Sequence, residues 1–150
     1  LLCAVLGLGV LLYAINGWDQ RGKHFLPLYQ FQLMGINGAF LTGDFFNLFV
    51  FFEILLIASY GLMVHGGGGL RVKAGVQYVV TNLVGSSVFL IAVGMIYSVT
   101  GTLNMADLAL IVPKVPAADQ ALLQTGAALL LLVFAVKAAL VPLHFWLPGT

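Results

Sequence analysis

The sequence predicts an all-α integral membrane protein of about five transmembrane helices. Three observations predict it. Apolar residues fill 61% of the 150 positions and charged residues only 7%. Mean hydropathy is +1.08. Apolar runs close to the length of a bilayer crossing alternate with short polar segments. Soluble domains carry roughly 25% charged residues, so a water-soluble fold is excluded.

A helix crossing the hydrocarbon needs about 20 apolar residues, and the runs are measured against that length. The first candidate helix covers 1–15. It opens inside an apolar run without an initiator Met, a basic n-region or a cleavage site, so the chain reads as a fragment with more protein expected on both sides. Asn16 to His24 is a polar loop holding Asp19, Arg21 and Lys23. The next apolar stretch, 26–64, is too long for one crossing at about 1.5 Å per residue. Thr42-Gly43-Asp44 supplies turn residues that divide it into helices 26–41 and 44–64.

His65 and the run Gly66 to Gly69 form a flexible connector that ends at Arg71 and Lys73. The run lacks the preceding strand and the Gly-Lys-Ser/Thr ending of a phosphate-binding loop. A fourth helix fits 72–99. The segment after it, with Asp107, Pro113, Lys114, Pro116 and Asp119, is an external loop with room for a short interfacial helix. The fifth helix, 120–141, meets Pro142, and the chain closes on the aromatic, proline-containing segment Leu147-Pro148-Gly149-Thr150. Residues 1–150 therefore form one part of a single transmembrane domain. If the helices alternate in direction, Arg21, Lys23, Arg71 and Lys73 share one side, and Asp44, Asp107, Lys114 and Asp119 share the other. The basic side is cytoplasmic by the positive-inside rule.

The net charge of +1 offers no footprint for nucleic acid. Cys3 is the single cysteine, so this chain alone builds neither a disulfide nor a thiolate metal cluster. The phenylalanines read as packing, since no haem or metal-ligand spacing accompanies them, and no cofactor is expected. His24 and His65 read as solvated loop residues, and Arg71 and Lys73 as snorkelling to the interface.

The chain has six basic and five acidic residues. All but three lie in loops or at helix ends; the exceptions are Asp44, Glu53 and Lys137, within or beside apolar runs. A charge at the bilayer centre costs at least about 2.5 to 3.5 kcal/mol, so it normally faces the bundle interior and has a partner. Glu53 sits well inside the third candidate helix and Lys137 inside the fifth. Burial disfavours the charged form of each, while each favours the charged form of the other. A lysine so placed can accept and release protons. Pro142 cannot donate to the Ala138 carbonyl, and its ring clashes there, so the helix should break or kink beside Lys137. Broken helices at membrane depth line protein or wet cavities and recur at transport sites. His144, seven residues on, is the next candidate station, because imidazole titrates near physiological pH; an interfacial anchor among Phe145 and Trp146 is the other reading. Asp44 reads as a helix cap first and as a proton entrance second. A purely structural Glu53–Lys137 ion pair is the remaining alternative.

Two blocks carry a family resemblance. One is Asp44-Phe45-Phe46-Asn47-Leu48-Phe49-Val50-Phe51-Phe52-Glu53 with Ser59-Tyr60. The other is Lys137-Ala138-Ala139-Leu140-Val141-Pro142-Leu143-His144-Phe145-Trp146-Leu147-Pro148. Both resemble the antiporter-like subunits shared by respiratory complex I and the Mrp-type multisubunit sodium/proton antiporters. Glu53 falls on the family's fifth-helix glutamate and Lys137 on its seventh-helix lysine. The resemblance implies helices three to seven of a fourteen-helix subunit with two inverted five-helix repeats, of which this chain is most of the first. Gly149-Thr150 resembles the D-type component of Mrp antiporters, where complex I subunits usually carry Asp-Ala, and the pattern from Phe40 to Asn47 points the same way. One departure is clear. Many complex I members carry a lysine early in the sixth helix, whereas here Val76 and Gln77 precede Tyr78, and Lys73 is too near the interface to replace it.

The resemblance implies a membrane subunit of a hetero-oligomer in the cell (inner) membrane. It passes protons by way of Glu53, Lys137 and His144, coupled to sodium or another monovalent cation moving the opposite way. The expected activity is transport, not catalysis. The alternative is a proton-pumping subunit of a quinone oxidoreductase whose redox centres lie elsewhere. A third reading, a membrane subunit that only holds partners together, predicts that neutralising the charges changes assembly and not flux.

Overall fold

The computed structural model describes residues 1–65 and 67–147. Gly66 of the connector, and Pro148, Gly149 and Thr150 at the end of the second block, lie outside the described residues. Six helices follow in order: α1 (Leu2–Ala14), α2 (Phe25–Leu41), α3 (Phe45–Met63), α4 (Gly69–Thr100), α5 (Met105–Ile111) and α6 (Ala117–Lys137), with single 3-10 turns at Asp19–Arg21 and Val112–Lys114. Among the described residues three stretches are long and apolar enough to cross a membrane: Phe45–Met63, Arg71–Thr100 and Ala117–Lys137. The 13 residues of α1 and 17 of α2 fall short of the roughly 20 that a perpendicular crossing takes.

Local chemistry sets the boundaries. Asp44 and Asn104, both extended, cap the helices that follow them. Asp44 Oδ1 accepts the Asn47 N–H at 2.9 Å, and Asn104 Oδ1 accepts the N–H groups of Ala106 and Asp107 at 2.9 and 3.2 Å. The two capping turns lie side by side. The Phe45 N–H donates to the Leu103 carbonyl at 3.0 Å, and the Met105 N–H donates to Gly43 at 2.8 Å. At the other end of the bundle His65 Nε2 is 2.8 Å from the Trp18 carbonyl oxygen. The α1–α2 and α3–α4 loops therefore share one end, and the α2–α3 and α4–α5 loops the other.

α4 begins at Gly69, three residues before the position read from sequence, because the turn is complete once Gly67 and Gly68 have taken φ of 69° and 116°. α6 differs more. It starts at Ala117, directly after Pro116, and ends at Lys137, where sequence reading ran it from 120 to 141.

Small residues let the helices approach. A Cβ built on Gly35 would stand 2.7 Å from the Leu55 backbone nitrogen, and one on Gly38 would run into the Phe51 ring, so α2 lies directly against α3. Gly126 brings α6 close to α4 in the same way, with the Ala92 carbonyl oxygen 3.2 Å from its Cβ position. The Tyr29 hydroxyl donates to the Gly7 carbonyl and ties α1 to α2. The core lies between α3, α4, α5 and α6. Phe89 is fully buried at its centre, ringed by Phe49, Phe52 and Phe134 at centroid distances of 5.7 to 6.0 Å. Leu131 of α6 and Leu6 and Leu12 of α1 face outward, as membrane helices allow.

Candidate functional site

Lys137 is the last residue of α6, and its position follows from how that helix stops. Ala139 has φ of 50°, in the left-handed region. The Leu140 N–H reaches back to the Ala135 carbonyl at 3.0 Å, and the Ala139 N–H reaches Val136 at 3.0 Å. This is the Schellman arrangement, with alanine where glycine is usual. The break expected from Pro142 is thus a full stop, already complete at Lys137 and well upstream of the proline.

The stop falls level with the middle of α4. Lys137 Nζ donates to Ser86 Oγ at 3.3 Å. Ser86 sits near the middle of α4, about 21 Å along the axis from Thr100 at 1.5 Å per residue. The same Nζ lies 5.3 Å from the centre of the Phe52 ring, in reach of its π face. Glu53, the next residue, is within electrostatic reach of both Lys137 and Tyr60. The carboxylate and the ammonium group are brought to one level of the bundle without a direct ion pair. The lysine donates to Ser86, and Glu53 Oε1 is buried with no hydrogen-bond partner among the described residues.

From Ser86 a polar stripe runs along α4 toward the basic end, through Asn82 to Tyr78. Asn82 and Ser86 are both buried. Asn82 Nδ2 donates to the Tyr78 carbonyl at 2.9 Å, and the Tyr78 hydroxyl lies 3.0 Å from Ser59 Oγ on α3. Tyr78 also packs edge-on to Tyr60 at 5.6 Å and against Trp146 at 5.5 Å. Trp146 folds back over the end of α6, where its Nε1–H donates to the Val136 carbonyl at 3.1 Å. His144 sits on the exposed turn before it, with no side-chain hydrogen bond among the described residues. Asp44 is a cap at the far end of α3, more than two turns before Glu53.

Residues 42–150 match the family model for the membrane-spanning region described as "NADH:quinone oxidoreductase/Mrp antiporter, TM". The chain belongs to this family. It is 51% identical over 150 residues to the D component of a probable K(+)/H(+) antiporter from Rhizobium meliloti strain 1021, covering 99% of this chain and 28% of that protein. It is 46% identical to the D component of the Na(+)/H(+) antiporter of Bacillus subtilis strain 168, covering 98% of this chain and 30% of that one. The Mrp complex structure from Dietzia sp. DQ12-45-1b contains a chain with TM-score 0.84 and 38% identity, matched over 97% of this chain and 27% of that one. The chain thus spans under a third of the length of these relatives. It is a multi-pass membrane protein of the antiporter-like family.

Family membership gives the site residues their context. Lys137 lies over Phe52, the neighbour of Glu53, without an ion pair to that carboxylate, and Asp44 caps the far end of α3. Not foreseen from the sequence are Ser86, which joins α4 to α6, and Tyr78, which joins it to α3, with the buried Asn82 between them. Their signal was present as polar residues at 78, 82 and 86, one helical face of an otherwise apolar span. The capping role of Trp146 carried no local signal, because its partner is a backbone carbonyl ten residues away.

Proposed function

We propose that the chain is the proton-handling part of a membrane subunit in a multisubunit cation/proton antiporter of the bacterial cell membrane. The observation that carries this reading is the hydrogen bond of Lys137 Nζ to Ser86 near the middle of α4, with a buried oxygen of Glu53 that has no hydrogen-bond partner among the described residues. A lysine with one hydrogen bond from three donors keeps two for a transferable proton carrier such as water. In the proposed cycle the Lys137 ammonium gives up one proton and becomes the amine, then takes one proton from the opposite side. Glu53 sets the balance between the two forms by Coulomb attraction, which is strong where water is scarce. Ser86 holds the nitrogen in place and, as a hydroxyl, both accepts and donates. Tyr78 and Ser59 extend the polar surface toward the basic end, and His144, exposed beyond the α6 stop, is the further candidate station.

In this reading the proton movement is coupled to sodium or another monovalent cation moving the opposite way, and other membrane subunits complete the complex. The names of the antiporter relatives favour this coupling. The family description also covers quinone oxidoreductases, where the same relay would serve a proton pump. The test is cation/proton exchange in vesicles carrying the full-length complex, with Glu53→Gln and Lys137→Ala compared with wild type at matched assembly. A loss of at least about tenfold in each, roughly 1.4 kcal/mol of barrier, is expected. Unchanged exchange would make the pair structural. A wild-type complex without cation-dependent exchange would favour the pump.

A further inference from the structure

We propose that the basic end of the bundle holds an anionic phospholipid, with its phosphate on Arg21 and Arg71 at Trp18 and an acyl chain entering the groove beside α1. This site lies apart from the Lys137 region and does not depend on the transport cycle.

Both guanidinium groups use one indole. The Arg21 Cζ is 4.3 Å from the centre of the Trp18 ring and the Arg71 Cζ is 5.2 Å from it. The backbone of Trp18 is held on both sides. The Trp18 N–H donates to the Ala14 carbonyl at 2.9 Å, and the Trp18 carbonyl oxygen lies 2.8 Å from His65 Nε2. Arg71 is tied in turn, donating to the His65 carbonyl at 2.7 Å. Two cations from distant parts of the chain are thus held on one residue, and like charges repel unless an anion joins them.

Among the described residues no acidic side chain does so. Among the described residues neither arginine makes an ion pair, and Arg21 makes no side-chain hydrogen bond. Asp19 is the one acidic residue at this end, and its Oδ1 is buried without a partner. Stacked arginines with free donors match the planar, bidentate recognition of phosphate. Lys23 and Lys73, both exposed, add positive charge around them.

Trp18 and Arg71 also line a groove of about 200 Å³. Val10 and Ala14 of α1, Phe25 of α2 and Leu62 of α3 form most of its wall, with Tyr13 and His65 as polar members. A free phosphate has no use for such a wall, whereas a phospholipid has one for each part. The positive-inside rule places this end at the cytoplasmic leaflet, and basic pockets between helices there suit anionic headgroups.

The test uses the full-length complex in detergent with a photoactivatable phosphatidylglycerol, and maps cross-links to peptides containing residues 10–25 and 62–71. Unlabelled phosphatidylglycerol should compete, while phosphatidylcholine of the same chains and 10-fold higher inorganic phosphate should not. Each basic contact near an anionic surface is worth about fivefold, so Arg21→Gln with Arg71→Gln should cut labelling by about 25-fold. Equal competition by phosphatidylcholine, displacement by phosphate, or wild-type labelling in the double variant would overturn the proposal. The competition series on the wild type decides the matter even if the double variant does not assemble.

Discussion

At the scale of single residues, the account rests on what Lys137 touches. Ser86 is its hydrogen-bond acceptor, and hydrogen bonds to charged groups contribute roughly 1.5 to 3 kcal/mol. Ser86→Ala should therefore slow exchange by about tenfold or more while the complex still assembles, whereas Ser86→Thr keeps the hydroxyl and should retain most of the rate. Flux measured in vesicles at matched protein content checks both. Glu53 and Lys137 were legible in the sequence because a charge inside an apolar run has few explanations. Ser86 was harder to pick out, since a small polar residue in a membrane helix can satisfy itself on its own backbone, as Asn82 and Ser87 do by donating to the Tyr78 and Leu83 carbonyls. Only the fold separates the two cases. Asp44 is a cap by geometry, so Asp44→Asn should leave both stability and exchange intact, while Asp44→Ala should cost about 1 kcal/mol. Loss of exchange in the asparagine variant, with the fold preserved, would assign the carboxylate a role in proton entry.

At the scale of elements, the end of α6 is the feature that matters. The left-handed Ala139 costs roughly 1 to 2 kcal/mol that glycine would not. Ala139→Gly should raise the melting temperature of the complex, and Ala139→Val should lower it, read by thermal unfolding in detergent. Sequence reading placed the helix end at 141 because Pro142 is a visible breaker. The actual stop at Lys137 depends on an alanine adopting a conformation that its identity does not advertise. Helix packing offers a second check. Gly35→Ala would drive a methyl group into the Leu55 backbone, and overpacking of this kind costs about 1 to 3 kcal/mol, so α2 and α3 should separate and assembly should fall.

At the scale of the whole molecule, the ends of the bundle were legible from the loops. Charge placement assigned Arg21, Lys23, Arg71 and Lys73 to one side, and the contact of His65 with Trp18 brings their loops together. In a Cys3→Ser background, Lys23→Cys should react with an impermeant thiol reagent only from the cytoplasmic face, and Lys114→Cys only from the opposite face. What sequence could not show is which faces meet, because α3 and α6 are apolar nearly all round and only α4 carries a polar face, at Tyr78, Asn82 and Ser86. The aromatic cluster around Phe89 and the depth of the α6 stop emerge only from packing. The central claim is that Lys137 carries a proton and does not merely balance a charge. Lys137→Arg tests it most directly, since arginine keeps the positive charge and does not release its proton. In the assembled full-length complex, exchange should fall to background in this variant. Exchange near the wild-type rate would contradict the account and make Lys137 a structural cation.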